Sequence, residues 1–110
     1  MKSVLITGAT SFLGLQIVSQ LRSEGVGLHL IVRPGSDLSR IPDLDNLRRH
    51  IYDGSVTSLI SGLQVANAEV CIHLAGTYIR DHDPDDVDRL IDSNVRFGSH
   101  LLEAMKQCSL

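Results

Sequence analysis

Apolar positions along this 110-residue chain follow two rhythms. Unbroken or nearly unbroken apolar runs occur at Val4-Leu5-Ile6, at Leu28-His29-Leu30-Ile31-Val32 and from Ala68 to Leu74. Short runs of this kind, closed by glycine, proline or polar residues, predict strands covered on both faces. The run from Ala68 reads as a central strand. Arg48 to Tyr52 is shorter and more polar, which suits a strand at the outer edge of a sheet. Between the runs the spacing is helical. Leu13, Ile17, Val18 and Leu21 follow Phe12, with Gly25 or Gly27 as the stop, a helix of about 13 residues. Val56, Leu59, Ile60 and Leu63 carry a second stripe. From Pro34 to Arg49 the pattern loosens: Leu38, Ile41, Leu44 and Leu47 keep helical spacing but Pro42 interrupts it, so a short or broken helix is expected.

The last element has the clearest start. Asp83 is an N-cap followed by Pro84 at the first helical position, with Asp85 and Asp86 in the first turn, where the helix dipole favours anions. Val87, Leu90, Ile91, Asn94, Val95, Gly98, Leu101, Leu102 and Met105 then fall on one face, the expected core face. Asn94 and Gly98 are unusual there. Structurally they read as a hydrogen-bonded buried amide and a close-packing site.

Strands and helices alternating in this order predict an α/β fold: a Rossmann-like parallel sheet, strand order 3-2-1-4, right-handed crossovers, helices on both faces. Residues 1–110 form one domain at most. Its ligand crevice is expected at the carboxyl ends of strands one and four, where the crossovers switch sides. The four strand ends carry Gly8, Arg33, Asp53 and Ala75.

After the first strand, Gly8 to Gly14 is a loop of small residues that opens a helix. Main-chain N–H groups at a helix N-terminus attract a phosphate, and glycines let the backbone approach it closely. An ordinary strand-to-helix turn has the same look. Net charge is −3 with lysine and arginine scattered, so no basic stripe points to nucleic acid. The first apolar run is broken by Thr7, Gly8, Thr10 and Ser11, so neither a signal peptide nor a membrane span is expected, and a cytoplasmic location is. Cys71 and Cys108 lack metal-ligand spacing and read as reduced thiols. Asp81-His82-Asp83 reads as a solvated loop, and no metal is expected; His29 and His73 read as packed histidines.

Three segments together resemble the extended short-chain dehydrogenase/reductase family, the NAD(P)-dependent epimerases and dehydratases of nucleotide sugars. Thr7-Gly8-Ala9-Thr10-Ser11-Phe12-Leu13-Gly14 resembles the family's TGxxGxxG loop, with Ser11 in place of the middle glycine. His73-Leu74-Ala75-Gly76 resembles its HLAA or HLAG segment. Asn94 with Gly98 to Ala104 resembles its "N..GT..LLEA" helix, with one extra residue between Asn94 and Gly98. The resemblance runs through the whole chain but covers only the family's N-terminal, cofactor-binding half, so the fold is expected to be truncated.

The resemblance implies cofactor contacts at Gly8, Thr10, Ser11, Phe12 and Leu13 in the loop, and at Leu74, Ala75, Gly76 and Asn94 beyond the fourth strand. Ser11 is expected to weaken the pyrophosphate approach while offering it a hydroxyl donor. Arg33 stands where NAD-preferring relatives place an acid on the ribose; a guanidinium suits a 2′-phosphate, so NADP(H) is favoured over NAD(H). A solvated charge at a strand end is the alternative. Asp53, or Ser55 in another register, stands where the family has an acid on the adenine amino group; an Asp-Gly turn explains it equally.

No catalytic residue is expected within the chain. The family's acid/base pair is a tyrosine with a lysine four residues later, whereas Tyr52 is followed at that spacing by Val56 and Tyr78 by His82. The implied function is the NAD(P)(H)-binding portion of a nucleotide-sugar epimerase, dehydratase or reductase, inactive alone and acting on a nucleotide sugar in a longer form. The alternatives are a non-catalytic dinucleotide sensor, including a redox sensor, or an interaction module. The uncovered edge of the fourth strand is expected to favour self-association.

Overall fold

The computed structural model describes residues 2–41 and 45–110. Four parallel strands form one sheet: β1 (Ser3–Thr7), β2 (Gly27–Val32), β3 (Leu47–Ile51) and β4 (Val70–His73), in the order β3-β2-β1-β4. Successive side chains of β1 point to opposite faces, so Leu5 and Ile6, both fully buried, anchor two separate cores. On the Ile6 face lie Leu28, Leu30 and Val32, covered by α1 (Phe12–Arg22) through Val18. On the Leu5 face lie Ile31 and Tyr52, covered by α2 (Val56–Ala66) and by the C-terminal helix. Helices thus sit on both faces, as the patterning predicts.

Three local expectations change. First, no regular element occurs among the described residues between β2 and β3, and Leu47 opens β3, paired with Leu28. Leu38 and Ile41 still pack into the core beneath α1, so burial rather than helix formation explains their apolar character. Leu44 and Pro42 lie outside the described residues. Second, β4 hydrogen-bonds only β1 and forms the edge of the sheet, with Val70 half exposed. It reads as central because Cys71 and Ile72 pack into opposite cores.

The third change concerns the last helical segment. It runs through a single turn at Pro84–Asp86, α3 (Val87–Ile91), a π-helical turn at Asp92–Arg96 and α4 (Phe97–Gln107). Asp83 stands at its N-cap with Pro84 next, as the sequence suggests, and the Asp83 N–H donates to the Asp86 carboxylate at 2.9 Å. Leu101 is buried as expected, but its buried companions are Ser93, Phe97 and Ala104, a face about one residue away from the expected stripe. Phe97, the largest apolar side chain there, sets the rotation by packing on Tyr52 and His73 (ring centroids 4.9 and 5.7 Å). Val87, Ile91, Val95 and Leu102 are consequently left on the outside. Gly98 has open space around it and is not a close-packing site.

Candidate functional site: a crevice at the strand ends

Three chain segments converge at the carboxyl ends of β1, β2 and β4 and enclose a crevice of about 280 Å³. The first is the β1–α1 loop. Gly8 adopts φ +74°, and a Cβ there would lie 2.6 Å from the Ala75 nitrogen, so only glycine permits the turn and its contact with the segment after β4. Gly14 is as constrained: its Cβ would lie 2.2 Å from the Gly8 carbonyl oxygen. Ser11 is extended (φ −71°) and caps α1, accepting from the Gly14 N–H at 3.0 Å. Its hydroxyl proton goes to the Gly8 carbonyl at 2.8 Å, inside the loop, rather than outward to a ligand as the sequence suggests.

The second wall follows β4. The fully buried Thr7 hydroxyl accepts from the N–H groups of Leu74 (3.1 Å) and Ala75 (3.2 Å), which clamps this segment to the end of β1. The same hydroxyl is hydrogen-bonded to His73 Nδ1, which ties the end of β4 to it as well. Beyond Gly76, the Asn94 amide brackets one residue: Oδ1 accepts from the Thr77 N–H and Nδ2 donates to the Thr77 carbonyl, each at 2.8 Å. Asn94 therefore acts on the main chain of this wall instead of facing the crevice. The π-helical turn supplies Ser93 beside it, 3 % exposed, whose Oγ accepts from Thr77 Oγ1 at 2.8 Å.

The third wall is the end of β2. Pro34 and Gly35 (φ +77°) turn the chain so that Ser36 N–H donates to the Arg33 carbonyl and Arg33 N–H donates to Ser36 Oγ. The guanidinium crosses from this wall toward the π-helical turn, where Nη2 donates to Ser93 Oγ at 3.3 Å. Arg33 is the single charged side chain among the described residues that line the crevice.

Gly8, Thr10, Ser11, Arg33, Leu74, Ala75 and Gly76 all line this space. Phe12 and Leu13 do not line it and are largely exposed. Asp53 and Ser55 also stand outside it, engaged with each other. Asp53 Oδ1 accepts from the Ser55 N–H (2.9 Å) and hydroxyl (2.6 Å), bonds that hold its carboxyl below the usual carboxylate range, while Ser55 caps α2. Thr77, Ser93 and Phe97 line the crevice without having been singled out from the sequence. Among the described residues there is no metal-binding cluster of three or more ligand side chains, and no helix long and apolar enough to cross a membrane.

The family model described as "NAD dependent epimerase/dehydratase family" matches residues 4–110. The chain belongs to this family. A 3-diazoavenalumate denitrifying reductase from a Streptomyces species is 30% identical over 106 residues, 94% of this chain and 33% of that protein. The Bordetella bronchiseptica enzyme WbmH, solved with NAD+, superposes over 99% of this chain and 36% of its own length (TM-score 0.83, 23% identity). A Thermus thermophilus UDP-glucose 4-epimerase solved with NAD matches 97% of this chain and 34% of its own (TM-score 0.81, 20% identity). The chain spans about a third of the length of each of these relatives.

Proposed function

We propose that this chain is the cofactor-binding portion of a nucleotide-sugar epimerase, dehydratase or reductase, and that its crevice takes NADP(H) in preference to NAD(H). Arg33 carries this reading: among the described residues that line the crevice, the charge is a cation at the end of β2, and no carboxylate accompanies it. A guanidinium pairs with a 2′-phosphate, whereas a ribose 2′-hydroxyl gains most from an acid. The cradle fits such a ligand, since a Cβ at Gly8 or Gly14 would fill the space in which loop and helix N-terminus meet.

When bound, the dinucleotide supplies hydride chemistry; the chain's own residues hold and orient it. The Gly8–Ser11 loop and the start of α1 would face the pyrophosphate. The main chain of Leu74, Ala75 and Gly76, fixed by Thr7 and Asn94, would face the ribose and nicotinamide. Phe12 and Leu13 would contribute main chain at the loop. The turn bonds of Asp53 use Oδ1, so its second oxygen, or Ser55 beside it, is the candidate for the adenine amino group. Tyr52 donates to or accepts from His100 Nδ1 (2.9 Å) and has no lysine partner at the family's spacing, so binding without turnover is expected. The free thiols of Cys71 and Cys108 suit a reducing, cytoplasmic setting.

Calorimetric titration tests the reading. The wild-type chain should bind NADPH more tightly than NADH, and Arg33→Ala should lose NADPH selectively. Equal losses for both would refute the phosphate assignment. A second reading, a module that works by association, draws on the open edge of β4 and the outward apolar residues Val95 and Leu102. Self-association through that edge predicts a concentration-dependent rise in mass by light scattering, abolished by Val70→Lys; a monomer at all concentrations would refute it.

A further inference from the structure

The bond from Arg33 to Ser93 does more than line the crevice. It joins two of its walls. Arg33 belongs to the β2 wall and Ser93 to the π-helical turn, and both residues line the crevice. The crevice volume, about 280 Å³, falls at the lower limit of ordinary ligand pockets, ~300–1,000 Å³. Among the described residues on its walls, Arg33 is the one long, flexible side chain; the others are small, branched or aromatic residues held in the cores and turns already described. Widening the crevice therefore falls to Arg33.

Ser93 is built to hold that side chain. It is 3 % exposed, it sits where the π-helical turn places Ser93 and Asn94 side by side, and Thr77 Oγ1 fixes its oxygen from the other side at 2.8 Å. The same hydroxyl oxygen thus receives one donor from the β4 wall and one from the β2 wall.

We propose that the Arg33–Ser93 bond is a latch across the crevice, in competition with the dinucleotide, and that Ser93 sets how readily Arg33 is released to a 2′-phosphate. This rests on the dinucleotide reading above and adds a selectivity device to it. Every dinucleotide must displace the guanidinium from Ser93. A 2′-phosphate then takes it up again as a charge-assisted pair, while a 2′-hydroxyl does not. Apparent affinity scales with the fraction of the chain in which the latch is open.

Three variants test the latch by calorimetry with NADPH and NADH. Ser93→Ala should bind both cofactors more tightly, by about two- to fivefold, the low end of the net worth of a hydrogen bond, because this one is 3.3 Å long and its guanidinium belongs to an exposed residue. Arg33→Met, at an exposed position that leaves the core intact, should bind NADH more tightly by a similar factor while losing NADPH. In the double variant, Ser93→Ala should add nothing to Arg33→Met, since the latch is already gone. A merely structural role for Ser93 would lower affinity for both cofactors whatever stands at position 33. Unchanged or weaker binding by Ser93→Ala, or weaker NADH binding by Arg33→Met, overturns the latch and leaves the dinucleotide reading standing. Absence of binding by the wild-type chain and by all three variants overturns both.

Discussion

Two glycines in the helices answer the same substitution in opposite directions, and the difference isolates what the loop at β1 requires. Replacing a helical glycine by alanine ordinarily stabilises by about 0.5–1 kcal/mol, because the unfolded chain loses freedom. At Gly98 the added methyl meets nothing within 4 Å, so Gly98→Ala should deliver that gain. At Gly14 it meets the Gly8 carbonyl oxygen at 2.2 Å and Ala9 Cα and C at 2.7 and 2.8 Å, all of them backbone. Ordinary contact requires the loop to retreat by roughly 1 Å, and overpacking of this kind costs about 1–3 kcal/mol. The loop cannot retreat freely, because Gly8 is itself pressed against Ala75. Both variants share the gain in the unfolded chain, so they should lie about 1–3 kcal/mol apart, which at this chain length separates their thermal midpoints by roughly 4–13 °C. Circular dichroism melts of both variants beside the wild type measure this directly. If Gly14→Ala melts at or above Gly98→Ala, the close approach of α1 to the loop is not what fixes the residue there.

Thr7→Val keeps the shape of a fully buried side chain but leaves the Ala75 N–H and His73 Nδ1 without their partner, so urea unfolding should show a loss of about 1–3 kcal/mol. Acid should weaken the β2–β3 pairing. His29 Nδ1 and His50 Nε2 share a proton at 2.9 Å with rings stacked 5.2 Å apart, and burial lowers both pKa values from 6.5, the His50 and Arg48 charges lowering that of His29 further. The unfolded chain takes up protons near pH 6.5 while the folded pair resists. This stabilisation is therefore fully present above pH 6.5 and lost as pH falls below it. Melting points from pH 5 to 7.5 should decline on the acid side, and His50→Gln should flatten that decline; an equally steep decline in the variant would count against the pair.

The sheet was legible because parallel strands carry their signal locally. Val4–Ile6 and Leu28–Val32 are apolar whichever face is considered, and the small residues after each mark the crevice end. Gly8 and Ala75 were legible for a related reason, since smallness at a strand end has few other uses. Ser93 and Thr77 were not, because their roles depend on a π-helical turn and on an amide clamp across 17 residues, neither of which leaves a periodic trace. The buried face of the last helix is hidden from the sequence for a similar reason. Two apolar stripes run side by side on it, and only the position of Phe97 against Tyr52 and His73 decides which one is buried. Asp53 and Ser55 show the opposite limit: an Asp-Gly-Ser sequence at a strand end serves a turn as well as a ligand, and in the structure it caps α2.

The Thr7 clamp also bears on the order in which the molecule can assemble. Thr7 and His73 are 66 residues apart in sequence, so both walls of the crevice come together only after a long loop has closed. Contacts of such separation form late and slowly. In chain order β1 precedes its partner β2 by one helix, but its second partner strand follows only after α2. Until then one side of β1 stays open to wrong pairing. A dinucleotide that bridges the two walls would favour the closed chain by mass action, by about 2.7 kcal/mol at a hundredfold excess over its Kd. On this view the nucleotide is also a folding ligand, and supplying it during refolding should raise the yield of native chain.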